Sequence, residues 1–266
     1  MSHLVSVGWL YENRADKRMV VLDASLAHPQ KSGTHCIPES RFFDLENTFS
    51  DKLSDLPNTM VAKDTFTIGT RKLGISTSSV IVVYDNKGIY SSPRVWWMFR
   101  SMGHQNVFVL DGGLPEWKRK GFAVSDKHSN PEFEGDFVPT PVEGMFCNGL
   151  AVLSAMSSSI IVDVRSRERF AGLVEETREG LRKGHIPSSV NLPFEHFIVD
   201  GKLRAMAQIR SLFGAEEHDS LIFSCGSGVT ACIGALAAAE AGFKNVAVYD
   251  GSWSEWGKDS EDFPIA

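Results

Sequence analysis

The stretch Val107-Phe-Val-Leu-Asp-Gly-Gly-Leu-Pro-Glu-Trp117 has a close counterpart near the other end of the chain, Val246-Ala-Val-Tyr-Asp-Gly-Ser-Trp-Ser-Glu-Trp256. In both stretches an apolar run stops at Asp-Gly and is followed by a segment that ends in Glu-Trp. A short apolar run that stops at a polar residue and a glycine is typical of a buried strand. The recurrence of the whole pattern indicates an internal repeat.

Two further pairs of strand-like runs keep the same order and an offset of about 140 residues. Val20-Val-Leu-Asp23 corresponds to Ile160-Ile-Val-Asp163, and Ile81-Val-Val-Tyr-Asp85 corresponds to Leu221-Ile-Phe-Ser-Cys225. Three ordered matches at a nearly constant offset are hard to attribute to chance. The sequence therefore predicts a tandem duplication.

Short apolar runs alternate with segments of helical period in each half, which is typical of a parallel sheet covered by helices on both faces. We therefore predict an α/β fold with two tandem domains. The domains span 1–125 and 144–266, and 126–143 forms a linker in which Ser, Asp, Asn, Pro and Gly cluster. Helices are predicted from Pro93, as the first helical residue, to Gly103 and from Thr230 to Gly242.

Composition and charge exclude several classes of protein. The 266 residues suit two domains, and 42% hydrophobic content is enough for two cores, which excludes a disordered chain. Lys and Arg number 27 against 33 Asp and Glu, so no basic surplus is present to bind nucleic acid or an anionic membrane. Because no apolar stretch approaches the roughly 18 residues of a membrane span, and no signal or presequence pattern precedes the first strand, we expect a cytoplasmic protein, with a mitochondrial location left open.

The four cysteines show no CxxC pair and no zinc-site spacing, so we interpret them as free thiols. Cys225 stands between a predicted strand and a predicted helix, where backbone N–H groups and the helix N-terminus favour a thiolate. It is the predicted nucleophile. Cys232 lies on the apolar stretch of the helix and is expected in the core, and no supporting cluster accompanies Cys36 or Cys147.

Other uses of a turn between a strand and a helix do not fit this loop. A phosphatase would need an arginine six positions after the cysteine to hold phosphoryl oxygens, and that position is Ala231. The loop also lacks the Lys-Ser/Thr ending of a nucleotide-binding P-loop and the glycine spacing of a dinucleotide site.

Several motifs together resemble the two-domain rhodanese family, over nearly the whole chain. They are Cys225-Gly-Ser-Gly-Val-Thr230, Gly184-His-Ile-Pro187, Tyr249–Trp256 and Tyr90–Arg100. The cysteine loop is similar to that of the 3-mercaptopyruvate sulfurtransferase branch. The resemblance implies an enzyme that moves sulfur from 3-mercaptopyruvate to an acceptor through a persulfide and releases pyruvate, with no metal or organic cofactor. Thioredoxin, another small thiol or cyanide is the expected acceptor.

The resemblance also implies the roles of individual residues. Cys225 and Ser227 are expected to be catalytic, and Arg169 and Arg178 are expected to bind the substrate carboxylate, because a guanidinium offers a planar fork of donors. His185 is expected to be structural. The remaining loop residues expected to contact substrate are Gly226, Gly228, Val229 and Thr230.

The first half is the inactive copy in this family, and here Asp85 stands at the position of Cys225. A carboxylate cannot carry a sulfane sulfur, so the first half is expected to form a wall of the cleft between the domains. Tyr90 and Trp97 are candidates for lining this cleft, although packing within an aromatic helix is the favoured interpretation of the tryptophan.

This chain departs from the family in the proton relay that the first half supplies. Glu46 stands at the acidic position, and Asn58 stands where a histidine is expected. Because an amide cannot exchange a proton, three alternatives stay open: a relay through Ser227 and water, a contribution from His35, or weakened catalysis.

Two other functions remain as alternatives. One is thiosulfate:cyanide sulfurtransferase, which the neutral pair Gly226 and Ser227 disfavours, because the thiosulfate branch carries basic residues at these positions. The other is a degenerate rhodanese that binds a partner without turnover, suggested by Asn58.

Overall fold

A computed structural model describes residues 2–26 and 35–266, and the chain forms two compact units. No helix in the described part of the chain is long and apolar enough to cross a membrane. Unit 1 consists of Met1–Lys52, Met60–Val142 and Asp200–Leu203, and unit 2 of Leu53–Thr59, Glu143–Val199 and Arg204–Ala266. Unit 2 thus includes Leu53–Thr59 from the first half of the sequence, and unit 1 includes Asp200–Leu203 from the second half.

The described part of unit 1 contains a five-stranded sheet and four helices. The strands are β1 Leu4–Val5, β2 Met19–Asp23, β3 Arg41–Phe42, β4 Val80–Tyr84 and β5 Val107–Leu110, and the helices are α1 Val7–Asn13, α2 Lys63–Lys72, α3 Ser92–Ser101 and α4 Gly113–Arg119. All neighbouring strands are parallel, in the order β1-β5-β4-β2-β3.

Unit 2 repeats this plan. Its sheet strands are β6 Phe146–Cys147, β7 Ile160–Asp163, β8 Val190–Asn191, β11 Ser220–Ser224 and β12 Asn245–Tyr249, and the helices are α5 Gly149–Ala155, α6 Arg167–Phe170, α7 Met206–Phe213, α8 Ala231–Ala241 and α9 Ser252–Trp256. Between β8 and α7 along the chain lie a 3-10 helix, Phe194–Phe197, and the short strands β9 Ile198–Val199 and β10 Lys202–Leu203, of which β10 belongs to unit 1. The sheet order is β6-β12-β11-β7-β8, again parallel throughout.

The two sheets have the same strand order once the strands are matched by the repeat, so the duplication and the α/β fold class are confirmed. The predicted runs fall within one residue of the observed strands: the run from Ile81 lies in β4, and the run from Leu221 lies in β11. A parallel sheet reads as continuous apolar runs because both of its faces are covered, which is why these strands could be located.

The predicted helices are also present, with small differences at their ends. α8 ends before Gly242, which adopts φ +98 and caps the helix as predicted. Pro93 is the second residue of α3 and not the first, since Ser92 already begins the helix. Trp97 in α3 is 3% exposed, which agrees with its interpretation as packing.

Candidate active site

Cys225 directly follows β11, a central strand flanked by β12 and β7, and the loop after it leads into α8. The carboxyl end of a central parallel strand is where α/β proteins bind ligands. The cysteine is 2% exposed, Gly228 and Val229 are buried, and Gly226, Ser227 and Thr230 are half-buried.

The N-terminal end of α9 fixes the backbone of the loop. Trp253 N–H donates to the Cys225 carbonyl at 3.0 Å, and Ser254 N–H donates to the Gly226 carbonyl at 2.9 Å. The Ser254 hydroxyl donates to the same Gly226 carbonyl at 2.7 Å. Both carbonyl groups are therefore held by hydrogen bonds from α9.

Ser252 is a site residue that the sequence reasoning missed. Its Oγ accepts hydrogen bonds from Cys225 N–H at 3.1 Å and Gly228 N–H at 3.2 Å, lies 3.9 Å from Cys225 Sγ, and donates to the Tyr249 carbonyl at 2.8 Å. Its backbone adopts φ +49, a left-handed conformation that is strained for a residue with a side chain. The repeat offered a signal for this backbone conformation, because a glycine, Gly113, stands at the matching position of the first half. In the structure Gly113 adopts nearly the same φ, +51.

Unit 1 shows what the equivalent loop binds. Asp85 is fully buried, and its Oδ2 accepts from the backbone N–H groups of Tyr90 at 2.8 Å, Ser91 at 3.1 Å and Ser92 at 3.0 Å. The Ser92 hydroxyl adds a bond at 2.7 Å, and Lys87 N–H donates to Oδ1 at 2.9 Å. The turn between strand and helix is thus built to hold an anion.

The matching loop of unit 2 has no internal anion. Among the described residues, no acceptor pairs with the backbone N–H groups of Ser227, Val229 or Thr230. These donors belong to residues that lie between Cys225 and Ala231, the first residue of α8. The loop therefore resembles its counterpart as an anion-binding loop, and its N–H donors are available to negative charge on the cysteine sulfur or on a bound anion.

Two arginines flank the loop at Gly226. A methyl group placed on this glycine would lie 3.2 Å from Arg169 Nη2 and 3.8 Å from Arg178 Nη1. The absence of a side chain at 226 keeps both guanidinium groups close to the cysteine loop. The structure thus brings both predicted arginines to the residue that follows the predicted nucleophile.

Ser227 and Asn58 are also in contact. Asn58 Nδ2 donates to Ser227 Oγ at 3.0 Å, and Arg178 Nη2 donates to the same oxygen at 3.3 Å. Although Asn58 comes from the first half of the sequence, it belongs to unit 2. Because two N–H groups donate to this oxygen, the Ser227 hydroxyl hydrogen is directed to another acceptor.

Arg169 is held by Glu176, a second residue that sequence reasoning missed. The Glu176 carboxylate accepts from Arg169 Nε at 3.1 Å and from Nη2. Its other oxygen accepts from Arg165 Nη1 at 2.7 Å. The side chain of Glu176 is 1% exposed.

The other predicted residues lie elsewhere. Glu46 is exposed in unit 1, and His35, also in unit 1, lies 3.6 Å from the Asp126 carboxylate and 3.4 Å from Lys118 Nζ. His185 stacks on Phe170 with ring centroids 3.8 Å apart, in keeping with a structural role. Relay roles for Glu46 and Asn58 remain predictions.

The other cysteines lie in environments that oppose ionisation. Burial, together with the nearby carboxylates of Asp250 and Glu255, raises the pKa of Cys147 to about 12. Burial also raises the pKa of Cys36. Cys232 is fully buried within α8, as predicted. No group of three or more His, Cys, Asp or Glu side chains in the described residues is arranged to hold a metal.

Comparison with known proteins gives matches over most of the chain. The model of the rhodanese-like domain matches residues 6–120 and 150–259. The 3-mercaptopyruvate sulfurtransferase of Escherichia coli (strain K12) is 34% identical over 98% of this chain and 96% of its own length. The thiosulfate sulfurtransferase of Bos taurus is 38% identical over 95% of this chain and 91% of its own. The crystal structure of SseA from Escherichia coli, described among the 3-mercaptopyruvate sulfotransferases, superposes with a TM-score of 0.84 at 33% identity, covering 96% of this chain and 100% of that one.

Proposed function

The chain belongs to the rhodanese-like family, and on that premise we propose that it is a sulfurtransferase that takes sulfur from 3-mercaptopyruvate. The resemblance predicted from the sequence is thereby confirmed at the level of the family. The choice of donor rests on the two guanidinium groups next to Gly226. A methyl group placed on this glycine would lie 3.2 Å from Arg169 Nη2 and 3.8 Å from Arg178 Nη1. A keto-acid carboxylate and its neighbouring carbonyl match two such planar donors.

The first step forms a persulfide on Cys225. The thiolate attacks the sulfur of 3-mercaptopyruvate, an S–S bond forms, and the C–S bond breaks with its electron pair passing to carbon. That carbon is the terminus of the pyruvate enolate, and the proton of the donor thiol ends on it. The products are pyruvate and the Cys225 persulfide anion, with charge conserved.

The loop and its neighbours stabilise this step. The N–H groups of Ser227, Val229 and Thr230, which follow Cys225 in the loop and have no acceptor among the described residues, stabilise negative charge on the sulfur in the manner of an oxyanion hole. Arg169 and Arg178 hold the carboxylate, and the Ser227 hydroxyl passes the thiol proton to the enolate carbon. Asn58 orients this hydroxyl without exchanging a proton itself.

The second step regenerates the enzyme. A thiolate acceptor, or cyanide, attacks the outer sulfur of the persulfide, the S–S bond breaks, and Cys225 leaves as a thiolate. The acceptor leaves as a persulfide or as thiocyanate. We also propose that thiols serve as acceptors and that the protein is cytoplasmic. The domain boundaries at residues 125 and 144 likewise remain a proposal.

The decisive experiment combines pyruvate release with intact-mass measurement. We expect wild type to release pyruvate from 3-mercaptopyruvate and to gain one sulfur in the absence of acceptor. Cys225→Ser is expected to lose both signals, because a hydroxyl cannot form the persulfide. Cys147→Ser is the matched control and should keep both. A sulfur adduct that persists in Cys225→Ser would refute the assignment.

A second donor has its own support. The thiosulfate sulfurtransferase of Bos taurus matches this chain as closely as the mercaptopyruvate enzymes do, so identity alone does not separate the two donors. Gly226 and Ser227 bring no positive charge to bind a dianion, so we expect kcat/KM to be higher for 3-mercaptopyruvate than for thiosulfate. Turnover with neither donor would favour the binding module that Asn58 suggests.

A further inference from the structure

Glu176 is a buried carboxylate that holds one of the two guanidinium groups beside the Cys225 loop. It accepts from Arg169 through Nε and Nη2 and from Arg165 through Nη1. Its side chain is 1% exposed, whereas that of Arg169 is 22% exposed. The partly exposed guanidinium is therefore tied to a fixed point in the core of unit 2.

Arg165 does not need Glu176 for its own neutralisation. Its guanidinium is fully buried and donates to the Asp163 carboxylate at 3.0 Å from Nε and 2.6 Å from Nη2. Nη2 also donates to the Gly184 carbonyl at 2.8 Å. Since Asp163 compensates Arg165, the charge of Glu176 is left to compensate Arg169.

The hydrogen bonds also decide which edge of Arg169 faces the loop. A guanidinium has a side edge, formed by Nε and one Nη, and an end formed by both Nη atoms. Glu176 occupies the side edge, and the end faces Gly226, with Nη2 3.2 Å and Nη1 3.7 Å from a methyl group built there. The direction from which Arg169 meets a ligand is therefore set by Glu176.

This inference rests on the proposed function. We propose that Glu176 is a positioning residue that sets the sulfur-donor preference, because it orients Arg169 and cancels one of the two positive charges beside Cys225. Arg169 and Arg178 contribute two charges and Glu176 removes one. The remaining single charge matches the monoanionic carboxylate of 3-mercaptopyruvate and undercompensates the dianion thiosulfate.

The test is Glu176→Gln, which keeps the shape of the side chain and removes its charge. Because Arg169 loses its fixed orientation, kcat/KM for 3-mercaptopyruvate should fall about tenfold, mainly through KM. Because the site gains one net positive charge, kcat/KM for thiosulfate should rise about tenfold. A merely structural role would lower both values together, so opposite changes identify the positioning role.

Two further variants sharpen the test. Glu175→Gln removes the same charge one residue away, from a side chain that is 81% exposed and paired with Lys183, and both donors should stay within about twofold of wild type. Glu176→Asp keeps the charge but shortens the reach, so KM for 3-mercaptopyruvate should rise while thiosulfate use stays unchanged. This variant decides the matter if Glu176→Gln does not fold.

Parallel changes for the two donors, in either Glu176 variant, would overturn the inference. Failure of the proposed function looks different, because wild type itself would then not turn over 3-mercaptopyruvate. Intact-mass detection of the Cys225 persulfide in wild type, measured first, separates the two results.

Discussion

At the scale of single residues, the Asp85 loop and the Cys225 loop differ in the source of the anion that their N–H groups bind. The Asp85 carboxylate lies within its own loop and accepts five hydrogen bonds. In the Cys225 loop, by contrast, three backbone N–H groups remain available to negative charge on the cysteine sulfur or on a bound anion. Ser252 adds the other difference. It places a hydroxyl on the N–H groups of Cys225 and Gly228, although its φ of +49 favours glycine.

Ser252→Ala and Ser252→Gly should therefore separate strain from function. Both variants remove the hydroxyl that orders the loop, so both should lower kcat/KM, by about tenfold. Only glycine relieves the left-handed backbone, so Ser252→Gly should be more stable than Ser252→Ala by about 1 kcal/mol. Steady-state kinetics and urea unfolding of the pair check this. Wild-type turnover in Ser252→Ala would contradict the role of the hydroxyl.

At the scale of elements, α8 positions the loop because it packs directly on β11. The helix is alanine-rich and buried on nearly all sides, which is typical of a helix in the interior of an α/β domain. Gly234 permits the close approach, since a methyl group there would lie 2.4 Å from Cδ1 of Phe223, a fully buried side chain of β11.

Gly234→Ala is expected to destabilise the protein although alanine favours helix. The gain in helix propensity is about 1 kcal/mol, but the methyl group must displace a packed aromatic ring, which costs about 1–3 kcal/mol. Urea unfolding should give a net loss.

Gly8→Ala in α1 is the matched control, because the nearest atom to its added methyl is Ser6 Oγ at 3.8 Å. This variant should be neutral or slightly stabilising. Equal changes in the free energy of unfolding for the two substitutions would show that contact with Phe223 does not determine the effect of Gly234→Ala.

At the scale of the whole molecule, one buried and one half-buried histidine link stability to pH. Burial lowers the pKa of His104, whose Nε2 donates to the Ser79 carbonyl at 3.0 Å. Burial, with a further contribution from Arg100, lowers the pKa of His3 from 6.5 to about 4. Because unfolding releases both side chains to bind protons near pH 6.5, their neutral forms stabilise the fold above that pH and the stabilisation is lost as pH falls towards 4.

The free energy of unfolding should therefore be flat above pH 6.5 and decline below it, by at most about 1.4 kcal/mol per pH unit for each histidine. Urea unfolding between pH 7.5 and 4.5 measures this slope. The range includes the ordinary histidine pKa of 6.5 and extends towards the pKa of about 4 of His3 in the folded protein. The double variant His3→Gln, His104→Gln should flatten the slope, whereas His218→Gln, at an exposed position, should leave it unchanged. An undiminished slope in the double variant would assign the decline to other groups.

Much of the fold was predictable because its signals are local. The apolar runs, their glycine-containing turns and the recurrence after about 140 residues are carried by neighbouring residues along the chain. The placement of Cys225 followed from the same signals, since a residue after a central parallel strand lies at the carboxyl end of the sheet.

Tertiary structure decided the contacts that join distant parts of the sequence. Ser252 reaches Cys225 across 27 positions, and Asn58 reaches Ser227 across 169. Glu176 carries no pattern that distinguishes it from its exposed neighbour Glu175, and only packing buries one and exposes the other. The sequence thus determined the duplicated α/β architecture and the nucleophile, because these follow from local periodicity. The surroundings of the nucleophile were decided by folding, because burial and hydrogen bonding arise only when distant segments meet.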